Sequence, residues 1–287
     1  MDSQTVKPFK TIKEQIDLLK SRGLIIDDEV FAEYILTNIN YYRFSAYTLS
    51  YKSGDKFYSG ITFENIYSLY LFDKKLRLLL LEVLENIEIA FRTHIAYFHA
   101  STYGELGYKN PDNFKELMIY NKFIATLKAE IGQSKEIFIR DHKERNKEIP
   151  FWVAIEVLTF GSISKLFNNL LIPEKKEISK IYKRPYSYIS SWLYSLSSLR
   201  NICAHYGRIY NRKLPIRPKI FKTDMDKFKI DTEVNYLYTY IILIKALVDD
   251  KVWRPFCIDL ENLIDAYDNE IKLKYIGFPD NWNELLR

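Results

Sequence analysis

The sequence predicts an all-α fold, a multi-helix bundle. Apolar residues recur at intervals of three and four over long stretches, most clearly from Thr62 to about Ala100. No stretch shows the strict alternation of a half-buried strand, and no segment repeats at a fixed period. Helix caps and helix breakers stand where the periodic runs begin and end. About eleven helices are expected on this basis.

Taken in order, Thr11 and Glu14 form a capping box ahead of the stripe Ile12, Ile16 and Leu19, which Gly23 ends. Asp27 and Asp28 open a second helix, with Val30, Phe31, Tyr34 and Ile35 on its expected buried face. Tyr41–Tyr47 begins a third, and Gly54 and Gly60 bracket a loop. The long helix from Thr62 is apolar on more than one side, which makes it the centre of a bundle. Gly104, Gly107 and Asn110-Pro111 end it.

Residues 112–148 read as two charged helices, interrupted near Gly132-Gln133-Ser134, with Arg140–Glu148 a solvated face that Pro150 stops. Phe151–Leu158 is a buried helix, with Thr159-Phe160-Gly161-Ser162 a turn or distortion after it. A short Lys-rich helix lies between Pro173 and Pro185, and a longer one runs from Tyr188 to His205. Pro215 and Pro218 mark a loop, and apolar helices are expected over 232–250 and 256–274. The coarse division is an N-terminal helical part (1–110) holding the long central helix, a charged connector (111–150) and a C-terminal helical part (151–287), which a single continuous domain would also satisfy.

Composition narrows the function classes. The chain has 287 residues, 47% hydrophobic, enough for a substantial core. Net charge is +5, and Lys and Arg crowd the segment from Lys180 to Lys229, with few acids before Asp224; this is compatible with a nucleic-acid partner. The 23 Tyr and 18 Phe suit base stacking, although codon bias accounts for such an excess equally well. Two cysteines, Cys203 and Cys257, give no disulfide framework and no metal-ligand spacing, so a reducing, cytoplasmic setting is expected. Met1–Lys10 has no apolar run of the kind a leader needs, and the apolar runs Leu76–Leu84 and Tyr236–Val248 are too short to span a membrane. Neither an HExxH motif nor a glycine-rich phosphate loop is present, which argues against a metal hydrolase and a nucleotide-binding enzyme; no metal and no cofactor is expected.

The chemistry concentrates in Ser198–Arg212, where Arg200, Asn201 and His205 close an apolar helical run and Arg208, Asn211, Arg212 and Lys213 follow. Cutting RNA without a metal needs a base for the 2′-hydroxyl, an acid for the leaving 5′-oxygen and a fixed cation for the phosphorane. Histidine suits either proton role, and arginine grips phosphate in a fork. Asn201 suits the phosphate or the histidine as a hydrogen-bond partner. Arg200, Asn201 and His205 are therefore the candidate catalytic residues, with Arg208, Arg212 and Lys213 as RNA-binding candidates. On an ideal helix Arg200 and His205 lie about 140° apart, so either the helix ends between them or their side chains converge from its flanks; Arg208 joins them only if the helix continues.

A second Arg–His spacing lies at Arg92 and His99, seven residues apart and within about 20° on a helix. Structural roles compete for these residues: Arg92 is within reach of Glu85 or Glu88, and His94 and His99 suit partly buried positions. With thirteen Arg and four His in the chain, such a spacing arises by chance about once in every two chains of this kind.

Several separated motifs carry a resemblance over most of residues 7–215. They are Lys7-Pro8-Phe9, Asn40–Tyr47, Leu71–Arg77, Glu85–Thr93, Pro150–Glu156 and Leu199–Arg212. In this order they resemble the Abi-like proteins, the abortive-infection phage-resistance proteins of the AbiD/AbiF group. That group looks related to the HEPN superfamily, helical domains in which an arginine, a following polar residue and a histidine form a metal-independent ribonuclease site. The resemblance implies an HEPN-like helical bundle with additional helices, centred on 151–287, and carries Arg200, Asn201 and His205 over directly. It also implies two half-sites, made by two copies of Arg200/His205 in a homodimer or by Arg200/His205 with Arg92/His99 in one chain. The first pattern is the poorer match, since Thr93 stands where an amide would follow Arg92. Two functions follow as expectations: a toxin-like endoribonuclease acting on an RNA substrate in anti-phage defence, or a non-catalytic RNA-binding adaptor restrained by a small regulatory RNA.

Overall fold

The computed structural model describes residues 8–231 and 233–287. Residues 1–7 lie outside the described residues, and with them Lys7 of the quoted motif and most of the stretch read for a leader; Thr232, where one helix was expected to begin, does too. The fold is all-α, 67% helical, with fourteen α-helices and one small two-stranded sheet among the described residues. The chain forms two compact units: residues up to Leu76 with Glu261–Lys272, and Arg77–Leu260 with Leu273–Arg287.

In the first unit, α1 (Ile12–Ser21) starts at the expected capping box: Glu14 N–H donates to Thr11 Oγ1 (3.3 Å) and Thr11 N–H to Glu14 Oε2 (2.6 Å). It ends where Gly23 takes φ +93° and Leu24 N–H reaches back to the Leu19 carbonyl. Asp28 caps α2 (Glu29–Asn38) by accepting from Phe31 N–H. The buried face of α2 is Ala32, Ile35 and Leu36, and the expected face needs correcting: Val30 and Tyr34 are exposed (80% and 65%). Both lie about 160° round the helix from Ala32, whose small side chain faces inward. α3 (Tyr41–Ser45) follows. Strands β1 (Lys52–Ser53) and β2 (Lys56–Phe57) then pair antiparallel, Lys52 opposite Phe57, around Gly54 at φ +58°. Two-residue strands are too short to show an alternation. Thr62 accepts from Asn65 N–H at the start of α4 (Phe63–Tyr103), a helix of 41 residues. Phe63 stacks on Phe44 and Tyr47 donates to buried Asp73, so the first turns of α4 anchor this unit's core.

The second unit takes α4 on from Arg77 to its end before Gly104 (φ +79°). α5 (Leu117–Gln133) and α6 (Ile137–Glu144) break where expected. α6 stops at Glu144, ahead of Pro150, because the chain turns at Asn146 (φ +49°). Its ion pairs, Arg140–Glu144 and Asp141–Arg145, lie on the solvated face. α7 (Phe151–Ala154) runs into a 3₁₀ turn. The expected turn at Thr159–Ser162 is instead a helix start: Thr159 Oγ1 accepts from Ser162 N–H and caps α8 (Phe160–Asn169), with Gly161 in its first turn.

α9 (Ile172–Ile181) and α10 (Tyr186–Ala204) follow, then the unexpected α11 (Lys222–Phe228). α12 (Leu237–Leu247) and α13 (Asp250–Asp265) replace the longer helices expected over 232–250 and 256–274, and α14 (Trp282–Leu286) closes the chain. Asp249 accepts from Lys251 and Val252 N–H, which starts α13 ahead of Pro255 and leaves the proline inside it. No helix among the described residues is long and apolar enough to cross a membrane.

Candidate functional site

α10 is held by its apolar side. Ile189, Trp192, Leu193, Leu196, Leu199 and Cys203 are buried at helical spacing, and Trp192 Nε1–H donates to the Lys219 carbonyl (2.6 Å). The helix ends at Ala204, and His205 is its C-cap. Tyr206 N–H bonds the Cys203 carbonyl (3.1 Å) and Gly207 N–H the Ile202 carbonyl (2.8 Å), the paired bonds of a Schellman ending. The residue at the left-handed position is Tyr206 (φ +59°), where glycine is usual. Gly207 follows because a Cβ there would meet Ile202 Cγ2 at 3.0 Å, the Ile202 carbonyl oxygen at 3.1 Å and Arg212 Nη1 at 3.2 Å. Arg77 of α4 donates to the Gly207 carbonyl (3.5 Å).

Since the helix stops at Ala204, Arg208 does not continue its face. The Arg208 guanidinium donates to the carbonyls of Tyr210 (2.8 Å) and Asn211 (2.9 Å) and braces the turn. Arg212 donates to the Arg208 carbonyl (3.2 Å), and Lys213 is exposed. Asn201 and His205 are both exposed and line a cavity of about 590 Å³. Lys165, Tyr194, Ser197, Ser198 and Arg212 complete its polar wall, and among the described residues no carboxylate lines it.

Arg200 leaves α10 on another side. Its Nη2 lies 3.1 and 3.3 Å from the two carboxylate oxygens of Glu88 on α4, and its Nη1 donates to Asn201 Oδ1 (3.3 Å). Glu88 is buried and also accepts from Arg92 Nη2 (2.5 Å). Arg92 further donates to the Leu158 carbonyl (2.6 Å) and stands 3.8 Å from Glu156. The two candidate arginines thus meet on one carboxylate and compensate a charge that burial alone would penalise, with Glu156 beside Arg92 balancing the second cation.

The second histidine goes elsewhere. His99 is fully buried, with Nδ1 2.9 Å from Glu174 Oε1 and its ring among Tyr103, Phe114 and Phe151. His99 Nε2 and Glu174 Oε2 are buried without a hydrogen-bond partner. Arg92 and His99 therefore share no open surface, although they share a helix. His94 is half-buried, its Nδ1 3.0 Å from the Tyr182 hydroxyl, and burial lowers its pKa.

Lys165 and Tyr194 were not among the residues singled out from sequence. The signal for Tyr194 is the spacing 194, 197, 198, 201, 205, a polar stripe that runs along α10 to its C-cap. Lys165 lies on α8, and its approach to this stripe is set by packing between helices.

A family model described as "Abi-like protein" matches residues 34–211, more than half of the chain. No curated protein and no solved structure matches it.

Proposed function

The chain belongs to the Abi-like protein family, and on that premise we propose that it is a toxin-like endoribonuclease of HEPN type that cuts RNA without a metal. Membership in the family supports a role in abortive infection, that is, in phage resistance. The observation that carries the nuclease reading is the end of α10: Asn201 and His205 open into one cavity that holds Lys165 and Arg212 and lacks any carboxylate among the described residues, while Arg200, outside the cavity's lining, is held on Glu88 and bonds Asn201 Oδ1. In this reading the 2′-hydroxyl attacks the phosphorus, His205 moves a proton, Arg200 stabilises the charge on the phosphorane and Asn201 bonds a phosphate oxygen. The 5′-oxygen leaves with a proton, and the product carries a 2′,3′-cyclic phosphate.

One exposed histidine per site supplies one of the two proton carriers. His99 is buried away from solvent, which favours a homodimer in which a second copy of the chain brings its own His205. The rate per chain then rises with protein concentration at dilution.

The experiment is cleavage of total RNA in EDTA, with the ends of the products mapped. The parent protein yields 2′,3′-cyclic phosphates, and Arg200→Ala and His205→Ala yield none. Cleavage that survives both substitutions rejects the proposal. Tight, salt-sensitive binding with no cleavage by the parent replaces it with the adaptor reading, in which the same cations hold a regulatory RNA.

A further inference from the structure

One face of α10 carries Tyr194, Ser197, Ser198 and Asn201, and the C-cap His205 follows, at steps of three, one, three and four. Such steps keep side chains on one stripe, about 16 Å long from first to last. All five line the same cavity, and Lys165 of α8 lines it too. Trp192, also on α10, is buried, whereas Tyr194 is half exposed. Ser197 turns its hydroxyl onto the Tyr194 carbonyl (2.9 Å), so Ser197 itself is a wall rather than a ligand.

We infer that this stripe is a subsite for the unpaired nucleotides next to the scissile phosphate: a base stacks on the Tyr194 ring and Lys165 pairs with a flanking phosphate. The inference rests on the nuclease reading for the position of the cut, and on the cavity for the rest. An open phenol ring offers an apolar face that any base can use, so it serves stacking without sequence preference. A lysine on the wall supplies a point charge suited to a phosphate oxygen. An open recess lined by α8, α10 and the chain after it has room for a splayed base, whereas duplex RNA is met across its shallow groove and backbone. Tyr194 and Lys165 thereby select unpaired RNA and set its register relative to His205.

The test separates binding from cutting. In the full-length His205→Ala chain, affinity for a short unpaired oligoribonucleotide is measured by fluorescence anisotropy, against the same strand in a duplex. Tyr194→Ala in that background weakens unpaired RNA about 5- to 150-fold, Tyr194→Phe retains it, and the duplex binds weakly throughout. Lys165→Ala reduces the slope of log affinity against log salt by about one. Equal affinity of parent, Tyr194→Ala and Lys165→Ala overturns the subsite, as does a preference for duplex. If the chain with His205 intact cuts RNA and neither substitution changes binding, the nuclease stands and the subsite falls. If no variant cuts RNA and stacking-dependent binding persists, the subsite stands and the nuclease falls.

Discussion

At the end of α10, His205 is exposed at a cavity, held by a turn that stops the helix. Partway along α4, His99 has no exposed surface and bonds a carboxylate that is itself buried. Each follows an arginine at a spacing suited to a phosphate. The arginines even share a carboxylate, since Glu88 receives both Arg92 and Arg200. What differs is continuity of the helix. Inside α4, residues seven apart fall beneath whatever packs on that face, and for His99 that is Glu174 with the rings of Phe114 and Phe151. At the end of α10 the cap residue stays exposed. A helix terminus frees a side chain that a helix interior would cover, and this difference separates a candidate active histidine from a structural one.

Exchanging the two histidines for alanine gives the largest contrast. His205→Ala lowers cleavage by a factor on the order of 10²–10⁴, to below detection in the total-RNA assay, with the melting temperature unchanged. His99→Ala leaves Glu174 buried without its partner, so it costs about 1–3 kcal/mol of stability. Cleavage and thermal unfolding of both variants measure this, and a His99→Ala chain that melts normally but cuts nothing would collapse the contrast. Glu88→Gln comes next. It keeps the side chain's shape and removes the charge both arginines share, at a cost of about 1.5–3 kcal/mol, and it lowers cleavage because Arg200 loses its anchor. Unchanged unfolding and cleavage in this variant would mean that Glu88 fixes neither arginine.

The smallest effect concerns His94, midway between the extremes. Burial lowers its pKa from the ordinary value of 6.5, so the unfolded chain binds the proton more readily than the folded one. Stability from this group is full above about 6.5 and falls as pH drops toward the lowered value. His94→Gln removes that component, so its loss of melting temperature between neutral and mildly acid buffer is smaller than the parent's.

Local features were the legible ones. The Thr11–Glu14 box, Gly23, Asp28 and the long run from Thr62 each announce themselves within a few residues, and the structure contains them. Where two local signals compete, neighbours decide. Thr159-Phe160-Gly161-Ser162 carries a glycine that suggests a turn, yet the Thr159 hydroxyl caps a helix there. The face of α2 that is buried depends on where α1 lies, which the α2 residues do not state. The cluster Arg200, Asn201 and His205 was readable from six consecutive residues, but the cavity that Asn201 and His205 line and the point where the helix ends were not. The link from Glu88 to Arg200 joins positions 112 apart, and Lys165 reaches the stripe only through the packing of α8 against α10. Neither leaves a trace in spacing.

The turn behind His205 has a consequence for tolerance to replacement. Tyr206 already occupies a backbone region that side chains avoid, and at the next position a Cβ would sit within 3.0–3.2 Å of its neighbours. One added methyl group at Gly207 presses on the Ile202 carbonyl and on Arg212 together, a backbone atom of the helix end and a side chain of the cavity wall. The chemically reactive groups would all remain in such a chain. The mutational target of this region is therefore larger than its set of polar residues, and it includes a residue with no side chain at all.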